Sequence, residues 1–430
     1  MNRKVINFWK ALKGDDLFRH GSIMFAAYLI AGALSYFYQM YIGRTLGPDE
    51  FGVFGAIFAI HYIFGIFVQG ITISTAKFTS QLVGEKKEVG RFFQGIFKKV
   101  SLLGFGVFLG LLVSAHSIAA LIKIESSFLI LVVALNFLFI LPLAVNMGSL
   151  QGFERFKLLG GYQVGQNLIK VPCGIILVAA GYGVFGAVGA LTIATFLILI
   201  TSSFSLKSLF FAKAKQKSEY DFDSFYKYFF SSLLFSICFA VPANVDVLFV
   251  KIFFAEQEAG LYAATAVLGK VLIFLPLGIS AAFFPKVSKA HAANKYTSPL
   301  LKKALVYSIC PVGILTLAYC FFPSYVIILA FGLHYANAYY LVRWYGLAMF
   351  FFSVSIVFLN YYLARMEVKY VYLFICLTSI EIALILTFHT AMIQIVLIVL
   401  GINLAFLLLL FSNYLYNHSK ACIARELYGS

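Results

Sequence analysis

The sequence predicts an all-α integral membrane protein that crosses the bilayer twelve times as two parallel six-helix repeats. Three observations carry that prediction. Of 430 residues, 62% are hydrophobic and 12% charged, with a mean hydropathy of +0.93; a soluble domain carries roughly 25% charged residues. The apolar residues gather in blocks of about 20, the length a helix needs to cross the hydrocarbon. A turn-and-helix pattern also recurs about half a chain apart.

The blocks read as helices because backbone polar groups in lipid must be satisfied within their own segment. They lack the alternation of a barrel strand. The expected spans are 21–42, 53–78, 100–119, 128–147, 158–180, 184–204, 228–253, 261–284, 304–322, 340–363, 371–389 and 392–414. The apolar stretch 325–331 is too short to cross and is expected at the interface or as a half-helix. Met1–His20 is mixed in charge and has no apolar core before the first span, so it lacks a cleavable signal pattern.

Basic residues set the orientation. If the N-terminus is cytoplasmic, 27 of the 33 Lys and Arg lie on the cytoplasmic side, leaving Arg44, Lys123, Lys170, Lys251, Lys270 and Arg343. The positive-inside rule then places both termini in the cytoplasm of a multi-pass cell-membrane protein. The net charge of +16 is a topology signal plus attraction to anionic headgroups, and no nucleic acid is implied. Of the six cysteines, five lie in expected spans without CxxC spacing and read as small packing residues. No P-loop, HExxH or GxSxG occurs and the seven histidines make no metal-ligand pair, so the sequence implies no enzyme, no metal and no cofactor.

The repeat joins Asp49-Glu50-Phe51-Gly52-Val53-Phe54 to Gln257-Glu258-Ala259-Gly260-Leu261-Tyr262. Each contains an acidic residue, any residue, Gly, an aliphatic and an aromatic. Gly52 and Gly260 lie 208 residues apart (260 − 52), and the exits at Lys77 and Lys286 lie 209 apart (286 − 77). Six spans per repeat make the two halves enter the membrane in the same direction, a transporter architecture. Coincidence between two short amphipathic turns is the competing reading. The lobes are placed at 1–206 and 225–430, with a cytoplasmic linker at 207–224.

These residues also carry a resemblance. Arg44-Thr-Leu-Gly-Pro-Asp-Glu-Phe-Gly52 resembles the R-x-L-G-P-x-[ED]-[FY]-G turn of Wzx-type polysaccharide-biosynthesis flippases. These belong to the multidrug/oligosaccharidyl-lipid/polysaccharide exporter superfamily. Gln151–Phe156, Asn244–Leu248, Glu258–Ala264, Pro285–Ser288 and Phe331–Tyr335 fit the same family in order. Members often have 14 spans, so the resemblance to longer ones is partial at the C-terminus. The resemblance implies a MATE-like fold, two six-helix lobes around a central cavity that opens alternately to each side. It implies as cargo a polyprenyl-(pyro)phosphate-linked oligosaccharide, flipped from the inner to the outer leaflet. Membrane lipids are the other partner, with a glycan polymerase or glycosyltransferases as candidate protein partners.

Ionisable residues inside the membrane are costly and face a cavity or a partner. Lys170, Lys270 and Glu381 fall near the midplane, roughly 14–18 Å from their span starts at about 1.5 Å per residue. Lys170 and Lys270 are the candidate cargo-binding residues, with Arg44 near the outer mouth and Asp246 beside them. Glu381 and Asp246 are the candidate coupling-ion residues. Each has a plainer reading. Asp246 could neutralise Lys270 or Lys251, Glu381 could belong to a packing cluster, Arg44, Lys251 and Arg343 could snorkel, and His61 could simply pack. An ion-coupled multidrug or small-molecule exporter is the nearest competing function, although two midplane lysines against one glutamate favour an anionic cargo. A non-transporting scaffold, glycosyltransferase or polymerase fits less well. A polymerase would need a large catalytic outer loop, and the longest outer connection is Phe322–Tyr339.

Overall fold

The computed structural model describes residues 16–84, 86–124, 126–211, 222–292, 297–365, 367 and 369–428. Of the expected linker, 212–221 lie outside the described residues. The described residues form helices almost throughout. Eight stretches are long and apolar enough to cross a membrane, and two of them, Ile23–Gln81 and Phe156–Ser205, contain an internal break and room for two crossings.

Packing divides the chain into two compact units, 1–240 and 241–430. The first holds α1 (Asp16–Gln81), α2 (Lys86–Leu121), α3 (Phe128–Gly152), α4 (Phe156–Leu177), α5 (Gly183–Ser205), α6 (Lys207–Phe210) and α7 (Asp223–Ala240). The expected loop between the first two spans is a single break in α1. Gly47 takes φ 76°, ψ 175°, and the helix restarts at Pro48. Glycine supplies the positive φ, and proline starts the second helix where its missing N–H costs nothing. Spans five and six meet at a five-residue π turn, Val178–Tyr182, closed by Gly181 (φ 90°) and Gly183 (φ 49°). A Cβ on Gly183 would press on the Glu50 carboxylate, so this turn sits directly against the Gly47–Glu50 break.

Small residues bring α1 and α3 into backbone contact. A Cβ on Gly148 would strike the Thr72 carbonyl and one on Gly152 the Ala76 carbonyl. Thr72 Oγ1 donates to the Ala144 carbonyl across the gap at 3.3 Å. This is the small-xxx-small packing that substitutes for a hydrophobic drive between helices in lipid.

The sequence assigns α7 to the second lobe, whereas packing places it in the first unit. Phe229 and Leu233 press against Gly70 of α1, and Phe225 is buried among Phe78 and Phe92. Residues flanking the linker are fastened to α2. Gln94 Nε2 donates to the Leu209 and Phe210 carbonyls at 2.8 and 3.0 Å, and Lys99 Nζ lies 3.8 Å from the Phe222 ring centroid.

The second unit holds α8 (Val245–Phe253), α9 (Glu256–Ala292), α10 (Ser298–Phe321), α11 (Pro323–Phe331), α12 (Tyr339–Ala364), α13 (Lys369–Thr387) and α14 (Met392–Tyr428). The short apolar stretch is α11, followed by a 3₁₀ turn at Leu333–Ala338. The expected seventh span is not continuous. The chain turns at 241–244, where Pro242 cannot extend a helical ladder, and α8 starts afresh. Between α8 and α9 the chain is extended at Phe254, and the helix restarts at Glu256. Restarts at Pro48 and Glu256 lie 208 residues apart (256 − 48), the offset of Gly52 and Gly260.

Candidate functional site

Buried charged residues are scarce among the described residues: Lys170 stands in the first unit, and Asp246, Lys251 and Glu381 in the second. In the first, Lys170 of α4 is 4% exposed. Its Nζ donates to Ser35 Oγ at 3.2 Å and stands 5.0 Å from the Tyr38 ring centroid. No carboxylate lies within ion-pair reach among the described residues. Tyr38 is held rigidly, since its hydroxyl donates to the Ala187 carbonyl at 2.6 Å and its ring fills the space a Cβ on Gly174 would take. A tyrosine face and a hydroxyl are weak compensation for a desolvated ammonium. The arrangement therefore favours an anion arriving at Lys170.

In the second unit, Asp246 sits in the first turn of α8, where the helix dipole favours its charge. It is fully buried. Its Oδ2 accepts from the hydroxyls of Tyr262 (2.9 Å) and Tyr345 (2.8 Å), while Oδ1 has no hydrogen-bond partner. Tyr345 is pressed onto α9 at Gly269, where a Cβ would collide with its ring. Glu381 of α13 is 1% exposed, its Oε1 is also without a partner, and it lies within electrostatic reach of Asp246. Lys270, partly buried on α9, donates to Asn244 Oδ1 at 2.9 Å. Asn244 is the residue before α8, so the broken helix and the lysine meet at one amide.

Lys270, Asp246 and Glu381 come together in the second unit, and Lys170 stands in the first. Asp246 does not neutralise Lys270 by a direct ion pair; two tyrosine hydroxyls occupy the carboxylate instead. Nor does it pair with Lys251, which bonds Glu256 at 2.8 Å. Arg44 is exposed at the end of the first part of α1, three residues before the Gly47 break. Arg343 donates from Nε to the Cys320 carbonyl at 3.1 Å, near the end of α10. Sequence reasoning missed Ser35, Tyr38, Asn244 and Tyr345. Asn244 and Tyr262 stand in stretches that carry the resemblance, which was their one available signal. Among the described residues no group of three or more His, Cys, Asp or Glu could hold a metal ion.

This arrangement of helices has close structural parallels. The lipid II flippase MurJ in an inward closed conformation superposes with a TM-score of 0.76 at 17% identity, covering 91% of this chain and 87% of that one. An inward-facing MATE-family multidrug resistance transporter of the MOP superfamily gives 0.73 at 14% identity, covering 92% and 96%. A MOP superfamily transporter from Pyrococcus furiosus, described as having a binding pocket of reverse polarity, gives 0.65 at 14% identity over 95% and 96%. At these identities the likeness is one of fold: the chain has the fold of MOP superfamily transporters. No curated protein matches it in sequence. The family model for polysaccharide biosynthesis proteins matches residues 41–340, well over half of the chain, and the chain therefore belongs to that family.

Proposed function

We propose that the protein flips a polyprenyl-(pyro)phosphate-linked oligosaccharide from the inner to the outer leaflet of the cell membrane by alternating access. Lys170 carries the reading. It is a buried ammonium with only a serine hydroxyl and an aromatic ring for company, in a chain whose family serves polysaccharide biosynthesis. Phosphate would supply the missing counter-charge. Lysine binds phosphate as a point charge without fixing its orientation, which suits a headgroup that must turn over. Lys270 and Arg44 are further candidate headgroup contacts. In this reading the chain works as two parallel six-helix lobes with both termini cytoplasmic. Reporter fusions after Asp49 and Glu256 should then read outside, and fusions near Lys86 and Lys215 inside.

Asp246 and Glu381 form the coupling-ion site in this reading. Each offers one buried carboxylate oxygen with no donor, and two carboxylates within electrostatic reach of each other are stabilised by a shared cation or proton. The same pair supports a second reading, an ion-coupled exporter of small molecules, since buried acids could also receive a cationic cargo.

Export of surface glycan, measured at matched expression in cells lacking the native gene, separates the two. Lys170→Gln and Lys270→Gln should each lower export about tenfold or more, the worth of one hydrogen bond to a charged group. If both single variants and the double variant export glycan as well as wild type, the basic-headgroup mechanism fails.

A further inference from the structure

The polar group around Lys170 extends beyond the lysine. Ser35 Oγ accepts from Lys170 Nζ, and the Tyr62 hydroxyl lies near the same serine. Tyr62 is 39% exposed. Its neighbour His61 packs its ring against Phe137, lies within electrostatic reach of Lys170, and leaves a buried Nδ1 with no hydrogen-bond partner. A buried polar atom of this kind needs a partner or costs its full desolvation.

The face of α1 that carries Tyr62 is not built for lipid. At 3.6 residues per turn, Tyr62, Gln69, Lys77 and Ser80 share one side of the helix, and all four are exposed. An exposed amide at Gln69, 12 residues before the end of α1 (81 − 69), would be expensive in hydrocarbon. A polar track thus runs from the Gln81 end of α1 up to Tyr62 and stops beside the buried ammonium.

From this geometry we propose that Tyr62 and His61 form a sugar subsite next to the Lys170 phosphate contact. The first sugar of the cargo stacks on the open Tyr62 ring and gives a hydroxyl hydrogen bond to His61 Nδ1. The chemistry suits a sugar-1-phosphate. The ammonium takes the anion, and the aromatic face takes the apolar C–H side of the ring that follows. The buried nitrogen then rejects a ligand with nothing to offer it. Ser35 fixes Lys170 and lies near the Tyr62 hydroxyl, which sets the spacing. The subsite deepens the flippase reading and rests on it for the identity of the phosphate.

Binding of two probes to the purified full-length protein in nanodiscs tests the proposal. One is heptaprenyl pyrophosphate; the other is the same lipid pyrophosphate esterified with a single glucose, galactose or N-acetylglucosamine. At least one sugar-bearing probe should bind wild type about tenfold more tightly than the bare lipid pyrophosphate, a difference of about 1.4 kcal/mol. Tyr62→Leu should erase that advantage and leave the bare lipid unaffected. Tyr62→Phe, which keeps the ring, should retain most of it, and His61→Ala should remove part. Lys170→Gln should weaken both probes alike. If no sugar-bearing probe binds better than the bare lipid, or if the advantage survives Tyr62→Leu, the subsite is wrong. If Tyr62→Leu behaves as described but Lys170→Gln leaves the bare lipid's affinity intact, the sugar subsite stands and the phosphate contact falls. Tyr62→Phe is the control for folding, since it removes the hydroxyl without removing packing volume.

Discussion

Lys170 and Lys270 sit in opposite electrostatic settings. In the first unit the ammonium faces a hydroxyl, an aromatic ring and an imidazole, with no carboxylate in ion-pair reach among the described residues. In the second it ends on the Asn244 amide, close enough to Asp246 to feel its charge, with Glu381 beyond. Yet the two are built the same way mechanically. Each depends on a tyrosine driven into a glycine: Tyr38 at Gly174, and Tyr345 at Gly269. Under the proposed function, Lys170 meets the headgroup without competition, whereas Lys270 has Asp246 and Glu381 close by. The glycines agree because a fixed tyrosine wall needs a residue with no side chain behind it.

Substitutions can break that comparison, and denaturant unfolding in a single detergent gives the ranking. Gly269→Ala should cost most, about 3 kcal/mol, because it displaces Tyr345 and removes a donor from the buried Asp246. Gly174→Ala should cost about 2 kcal/mol by pushing Tyr38 off the Ala187 carbonyl. Equal losses would mean that the tyrosine wall, and not the carboxylate, carries the stability of the second site. Lys170→Met should separate function from stability. Removing an ammonium that has no counter-ion should be neutral or stabilising by about 1 kcal/mol, while export is lost. A marked destabilisation would show that Lys170 is already well satisfied and awaits no anion. Lys369→Ala, at an exposed 4.0 Å contact with Glu367, should change stability by less than about 0.5 kcal/mol and sets the floor of the measurement.

Span positions were readable because each is a property of one segment, length and apolarity together. Gly52 and Gly260 share an offset with the helix restarts at Pro48 and Glu256, although Gly47 and Pro48 make the first break and an extended Phe254 makes the second. The break at 241–244 escaped notice, because Pro242 inside an apolar run looks like any tolerated membrane-helix proline, and only packing decides whether the helix bends or stops. Burial of Lys170 could be anticipated from its depth, but its partners could not. Ser35 lies 135 residues away and Tyr345 lies 99 from Asp246, and nothing in a single sequence announces such meetings. The expected Asp246–Lys270 pair illustrates the limit. Opposite charges on neighbouring helices suggest a bond, but Tyr262 from the same helix as Lys270 and Tyr345 from α12 claim the carboxylate first.

The backbone contact between α1 and α3 has a consequence for the membrane itself. Lipid tails compete freely for apolar helix faces but offer no donor to replace the Thr72 hydroxyl and no way into a seam closed at Gly148 and Gly152. A thinner or more fluid bilayer therefore has little leverage on this seam. It has far more on α2, whose large apolar residues from Leu102 to Val113 are all exposed or half-buried. Bilayer composition should reach this protein through α2, and the last two helices of the first unit to part should be α1 and α3.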